Sequence, residues 1–367
     1  MKHLHVLGIE TSCDETSAAI VSGTGSGMPR LVAQRVLSQA RAHEPFGGVV
    51  PEIASRSHVE ALSLVIESCL TDARLRGDEL DAIAVAHRPG LIGALLIGVT
   101  TAKALAWAWR KPLIGIHHLE AHLEAPLLTS PEAAAAAAAA GENARDDWLT
   151  PPFLGVVLSG GHTDLYVISA DGKREHIGGT LDDAVGEAFD KVASIIGLGY
   201  PGGPAVERAA RGATAGDLRL PRTLLGATSL DFSFSGIKTA VLYLWRGQDV
   251  KAPGPVAGAP TREQIAAAFQ EAVGDVLVEK LRRALRATGL RKVVLGGGVV
   301  ANRYLRDRVR IALAEQKVGE FGVPYADQVI FPEPAFATDN GAMIAALALK
   351  KFKAGEFSTL DLEASPS

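Results

Sequence analysis

The chain has 367 residues, a net charge of -4, 47% apolar residues and two cysteines. That length is too great for one ordinary domain and that apolar content too high for a disordered chain, so two lobes with sizeable cores are expected. The slight acidic excess excludes a protein whose main business is coating nucleic acid and leaves any such contact local; Cys13 and Cys69 supply neither a disulfide framework nor a cysteine-rich zinc pattern.

The opening HLHVLGIE reads as a β-run that ends in the polar turn TSCDETS, after which AAIV returns as a second strand. This N-terminus has no signal-peptide apolar core. PEIASRSHVEALSLVIESCL carries helical periodicity, and LDAIAVAHRPG is a strand running into a turn. The stretch LIGALLIGVTTAKALAWAW, residues 91–109, is the one membrane suspect. Lys103 and the Thr/Gly interruptions favour a buried helix of an α/β domain, so a soluble, reducing, cytoplasmic protein without membrane contact is expected. PLIGIHH is the next strand and runs into IHHLEAHLEAP, residues 116–126. TSPEAAAAAAAAGENARDDWLTPP departs from the pattern, with Ser130 as an N-cap, Pro131 at the first helical position and Gly141 as a stop. It reads as a solvent-side insertion over 128–150 with no chemistry of its own.

FLGVVLSGGHTDLYVIS then repeats the strand–turn–strand plan of the N-terminus. Two related α/β lobes follow from that repeat, 1–127 with 336–367 and 151–335. LDDAVGEAFDKVASIIG is an amphipathic helix followed by the turn GYPGGP, and GQDVKAPGPVAGAP reads as a mobile loop. Thr261 and Gln264 make a capping box for a long helix to about Thr288. KVVLGGGVVANRYLRDRVRIAL is strand, glycine turn and helix, and FATDNGAMIAALAL is a last helix opened by Thr338 or Asp339.

Chemistry can sit in four places. His118 and His122, at i and i+4, face the same way on a helix, about 40° apart, whereas His117 is turned away. The pair can bind a metal or serve as capping or core residues. A zincin needs Glu directly after the first His, and Leu119 stands there. Two histidines need a third ligand, and Asp339 is the candidate, with a helix N-cap as its alternative role. The turns SGGHT, YPGGP and GGGVVAN expose backbone N–H groups that can cradle phosphate, although none is a Walker A loop or a Rossmann fingerprint. The acidic set Asp182, Asp183, Glu187 and Asp190 is read as one helical stretch, either solvated or touching a substrate near the glycine turns. Lys280, Arg282, Arg283, Arg286, Arg291 and Lys292 form a basic run that is either a charged surface or a phosphate-backbone footprint.

Nine motifs in order resemble one family: GIETSCDETSAAI, GGVVPEIASRSHVE, HHLEAH, LSGGHTDL, DDAVGEAFDKVA, YPGGP, FSFSGIKTA, GGGVVANRYLR and TDNGAMIA. Together they are similar to the tRNA threonylcarbamoyladenosine transferases (TsaD in bacteria), from about residue 5 to 347. The resemblance implies the two-lobe actin-like/hexokinase-like ATPase (ASKHA) α/β fold. It implies transfer of a threonylcarbamoyl group from threonylcarbamoyl-AMP to the exocyclic amine of the adenosine 3′ to the tRNA anticodon, with release of AMP. It places a divalent metal, Fe(2+) or Zn(2+), on His118, His122 and Asp339. It places the adenylate substrate on Val157, Leu158, Ser159, Gly160, Gly161, Asp190, Gly203 and Asn302. Asp14 and Glu15 are candidate catalytic residues, ATP is a further candidate ligand, and tRNA, a TsaB-like paralogue and a TsaE-like ATPase are the expected partners. The family's Thr-x-Gly-Pro-Gly-Leu turn reads AHRPGL here, with Ala86 and Arg88 in place of Thr and Gly.

Two other classes compete. A metallopeptidase would use the histidine pair but lacks the glutamate after His118. A small-molecule kinase of the same fold would have no need of the histidines, and fold analogy alone does not exclude it.

Overall fold

The computed structural model describes residues 3–23, 29–133, 149–249, 251, 254–315 and 324–367. Most of the alanine run and Gly141 lie outside them, as do residues 250, 252–253 and 316–323. The chain divides into two compact units, Met1–Leu149 with Pro332–Ser367, and Thr150–Phe331.

The first unit contains β1 (Leu4–Glu10), β2 (Glu15–Gly23), β3 (Arg30–Ser38), α1 (Pro51–Ala73), β4 (Ala82–Arg88), α2 (Ile92–Trp109), β5 (Leu113–His117) and α3 (His118–Glu124). The second contains β6 (Phe153–Leu158), β7 (Thr163–Ile168), β8 (Arg174–Gly179), α4 (Val185–Ile195), α5 (Gly202–Ala210), α6 (Ser235–Arg246), α7 (Arg262–Thr288), β9 (Lys292–Gly296), α8 (Arg303–Arg310) and β10 (Gln328–Ile330). The chain then returns to the first unit as α9 (Gly341–Ala354).

Among the described residues each unit has one five-stranded sheet, in the orders β3-β2-β1-β4-β5 and β10-β9-β6-β7-β8. β1 pairs antiparallel with β2 and parallel with β4; β6 pairs antiparallel with β7 and parallel with β9. The two sheets are therefore the same frame built twice.

In the first unit both sheet faces are covered, which is why its strands are apolar on successive residues rather than on alternate ones. Val6, Ala19, Ala84 and Ile114 face α9. Leu7, Ile20, Ile83 and Val85 face α1 and α2. Each of the Val, Leu and Ile side chains among them contributes about 1.5–3 kcal/mol through burial. Among the described residues α2 alone is long and apolar enough to cross a membrane. Here Leu95, Val99, Ala102 and Ala106 are buried, while Ile92, Leu96 and Trp107 are exposed.

The close approach of α9 to the sheet depends on two glycines. A Cβ on Gly8 would lie 2.6 Å from the Ala345 backbone nitrogen, and one on Gly341 would lie 2.7 Å from Gly8 O. The Gly341 N–H donates to Ser17 Oγ at 2.9 Å, which fixes the helix start on β2. Asn340 caps α9, its side-chain oxygen accepting from Met343 N at 2.9 Å. The cap is thus neither Thr338 nor Asp339. Asn340 stands directly before the first helical residue with extended backbone, the geometry from which a side chain reaches the third helical amide. Asp339 is left one residue outside the cap.

In the second unit Phe189 of α4 meets Phe269 of α7 edge-on at 4.9 Å. The capping box of α7 forms as expected, with Thr261 Oγ1 accepting from Gln264 N and Gln264 Oε1 accepting from Thr261 N. Gly289, at φ 69°, ends the helix.

Candidate metal centre and glycine-turn site

The histidine pair is set by the end of β5. The strand stops at His117, and α3 opens on His118, so His118 and His122 lie one turn apart on the buried side of a short helix. Asp339 arrives from the far end of the sequence, carried by the loop before α9. His122 Nε2 lies 3.2 Å from His118 Nε2 and 3.0 Å from Asp339 Oδ1, and His118 Nε2 lies 3.5 Å from the same oxygen. Metal–ligand bonds of about 2.0–2.2 Å at angles between octahedral and tetrahedral need donors about 3.0–3.5 Å apart. The three donors meet that requirement, and His/His/carboxylate is a set suited to iron or zinc.

The electrostatics agree. Two imidazole lone pairs and a carboxylate oxygen facing one buried point repel unless a proton or a metal ion sits between them. Burial works against a charged His118, but Asp339 and Glu10 outweigh it and raise the ring to about 9. Burial dominates at His122 and lowers it, against the hydrogen bond that its ring gives to Asp339. The metal-free cluster thus holds a proton on His118, which a metal ion would displace.

The turn between β1 and β2 closes over this cluster. Ser12 Oγ is 3.2 Å from His118 Nδ1, and Glu10 Oε2 is 2.8 Å from the same nitrogen. His58, on α1, lies 2.9 Å from Cys13 O through Nε2 and 2.8 Å from Thr16 Oγ1 through Nδ1. The AHRPGL turn docks here too, with Leu91 N donating to Ser12 O at 2.9 Å. Burial, then the charges of Asp14 and Asp339, push Glu15 well above the usual carboxylate range. Glu10 is the residue that sequence reasoning missed. Its signal was an acid ending an otherwise apolar strand, inside the quoted motif GIETS.

In the second unit SGGHT and GGGVVAN follow the ends of the neighbouring parallel strands β6 and β9, and YPGGP opens α5. Ser159 N donates to His162 O at 2.8 Å across the β6–β7 turn, and Ser159 O accepts from Gly186 N at 3.1 Å, which ties the turn to the start of α4. A Cβ on Gly160 or Gly161 would meet nothing within 4 Å. Val157 and Leu158 are buried strand residues, so their contribution to a ligand would be through the backbone. Asp190 Oδ1 accepts from Gly202 N at 2.7 Å and so pins the YPGGP turn, where Gly203 is open. Asn302 caps α8 through Leu305 N at 3.1 Å and donates to Gln270 Oε1 at 2.7 Å. Glu207 of α5 accepts from the neighbouring Arg303 N at 3.1 Å. These contacts link the turns that hold Ser159, Asp190, Gly203 and Asn302 into one chain of neighbours, with the side chains of Asp190 and Asn302 engaged in holding the turns.

Two expectations are corrected. The acidic set is not one helical face, because α4 begins only at Val185. Asp182 instead accepts from Ser233 Oγ, Phe234 N and Ser235 Oγ at 2.6, 2.8 and 2.7 Å, and Asp183 accepts from Lys191 and Lys238 at 2.6 and 2.7 Å. Nor is the basic run a phosphate footprint throughout. Lys280 is fully buried and donates to Leu224 O and Ser229 O at 2.7 and 2.8 Å. Arg283 donates to Gly226 O at 2.8 Å, and Arg282 donates to Ala312 O at 3.0 Å. A buried cation needs partners, and backbone carbonyls supply them to Lys280.

Solved structures of similar fold support the architecture alone. Component A of the (R)-2-hydroxyglutaryl-CoA dehydratase of Acidaminococcus fermentans is 13% identical, with a TM-score of 0.53 over 96% of this chain and 99% of that one. The Clostridium difficile activator of 2-hydroxyisocaproyl-CoA dehydratase, solved with ADPNP, is 12% identical, with a TM-score of 0.50 over 96% and 97%. Full-length HypF in its phosphate- and nucleotide-bound form is 15% identical, with a TM-score of 0.54 over 97% of this chain and 47% of that one. The fold is that of the actin-like (ASKHA) ATPases. Residues 30–346 match the tRNA N6-adenosine threonylcarbamoyltransferase family. A match of that extent, over a duplicated α/β frame, means that the chain belongs to the tRNA N6-adenosine threonylcarbamoyltransferase family, whose members act on tRNA.

Proposed function

We propose that this chain transfers the threonylcarbamoyl group of threonylcarbamoyl-AMP to the exocyclic amine of the adenosine 3′ to the anticodon. The acceptors are tRNAs that read codons beginning with adenine, the product is N(6)-threonylcarbamoyladenosine, AMP leaves, and the work is done in the cytoplasm. The convergence of His118, His122 and Asp339 carries the reading: a sugar or acid kinase of this fold has no use for such a cluster.

An adenine amine is a poor nucleophile, because its lone pair is delocalised into the ring, so the carbamoyl carbon must be made more electrophilic. A divalent ion held by His118, His122 and Asp339, iron(II) or zinc, would supply that Lewis acidity. The backbone amides of the Gly160–Gly161 turn, where an added Cβ would meet nothing, receive the departing phosphate. Asp190 keeps the Gly202–Gly203 turn in place for the nucleoside, and Asn302 does the same for the start of α8. Asp14 and Glu15 are the candidates to take the amine proton. A peptidase reading finds no support, since Leu119 holds the place of the catalytic glutamate.

The test is transfer of labelled threonine from threonylcarbamoyl-AMP to unmodified tRNA. His118→Ala and Asp339→Ala are expected to abolish it while the protein stays folded. Addition of a TsaB-like paralogue and a TsaE-like ATPase is expected to raise turnover. Retained transfer by the double variant after chelation would overturn the proposal.

A further inference from the structure

We propose that Glu10 is a positioning residue for the metal centre: its carboxylate holds the His118 ring so that Nε2 faces the point shared with His122 and Asp339. This rests on the reading of that point as a cation site. Glu10 ends β1 and is fully buried. One of its oxygens accepts the Ser12 N–H, and the other lies 2.8 Å from His118 Nδ1. A buried carboxylate is costly unless its lone pairs are matched, and these two donors match it from opposite sides.

The two histidines differ in this respect. His122 Nδ1 is buried and, among the described residues, has no hydrogen-bond partner. Only His118 has a carboxylate behind it. A carboxylate on the remote ring nitrogen fixes the tautomer and orientation of a ligating histidine and raises its basicity, an effect of about 10–100-fold in metal affinity. It also sets the charge. Two carboxylates with two neutral imidazoles are balanced by a divalent ion.

Glu10→Gln isolates the effect. The amide has the same shape but a single acceptor oxygen, so it can receive the Ser12 N–H or the His118 N–H, and its NH2 then opposes the other. The experiment titrates the full-length, metal-stripped protein with Co(2+) and follows the visible absorption, which reports coordination geometry. Wild type is expected to saturate at about one ion per chain, and His122→Ala to lose that binding. Glu10→Gln is expected to bind about 10–100-fold more weakly with an altered spectrum. Ser12→Ala, which removes only the longer contact to the ring, is expected to change affinity less.

If Glu10→Gln binds like wild type, with the same spectrum, while His122→Ala fails, the role of Glu10 is overturned and the centre stands. Wild-type binding by His122→Ala overturns the centre and the role of Glu10 together. Should Glu10→Gln not fold, Glu10→Asp serves instead. It keeps both acceptors but withdraws the carboxylate by about 1.5 Å; weakened Co(2+) binding supports the proposal and unchanged binding overturns it.

Discussion

The β1–β2 and β6–β7 units are built on the same plan and do opposite things. Each has four residues between its strands, Thr11–Asp14 in one and Ser159–His162 in the other. Each lies in a five-stranded sheet of the same order and direction. The first turn is filled with side chains, held by His58 and Leu91 and set against His118. The second carries Gly160 and Gly161, where an added Cβ would meet nothing. At the residue before the turn, Glu10 in one unit corresponds to Leu158 in the other. On the proposed reading, one frame would serve side-chain ligation in the first unit and backbone-amide contact in the second. The difference lies in a few residues at the strand ends, where loops can vary without disturbing the sheet.

Substitutions can break this comparison. The largest effect is expected from His118→Ala or Asp339→Ala. Loss of a direct ligand should weaken Co(2+) binding by more than about 100-fold, beyond the range of an outer-shell change, and equilibrium dialysis would show it. Gly8→Ala should come next. Its methyl would press on the backbone of α9, so a loss of about 1–3 kcal/mol is expected in denaturant unfolding. Co(2+) binding should weaken with it, because Asp339 rides on the start of that helix.

A pH series on chelator-treated protein sharpens the picture of the histidine–aspartate cluster. The folded His118 ring is raised to about 9 from its ordinary 6.5, so its proton stabilises the metal-free fold fully below about 6.5. That stability is lost as pH rises through about 9. The melting temperature of chelator-treated protein should therefore fall across that window, and the fall should be absent in His118→Ala. The smallest change is expected for Gly160→Ala, within about 0.5 kcal/mol of wild-type stability. AMP binding by the same variant should drop if the bare turn receives phosphate; unchanged AMP binding would remove that turn from the site.

Local patterns in the sequence were enough for much of this molecule. The strand–turn–strand repeat, the capping box of Thr261 and Gln264, and the shared face of His118 and His122 all follow from spacings of a few residues, because strand and helix periods are properties of the backbone itself. The ordered motifs were enough for the family. Packing decided the rest. Asp339 reaches the histidines only because Gly8 and Gly341 let α9 settle on the sheet. Asp182, Asp183, Lys280 and Arg283 look like surface charges in the sequence, yet each holds a neighbouring loop or helix. Whether a charged side chain meets water or a carbonyl depends on what the distant chain places beside it, and no local spacing encodes that.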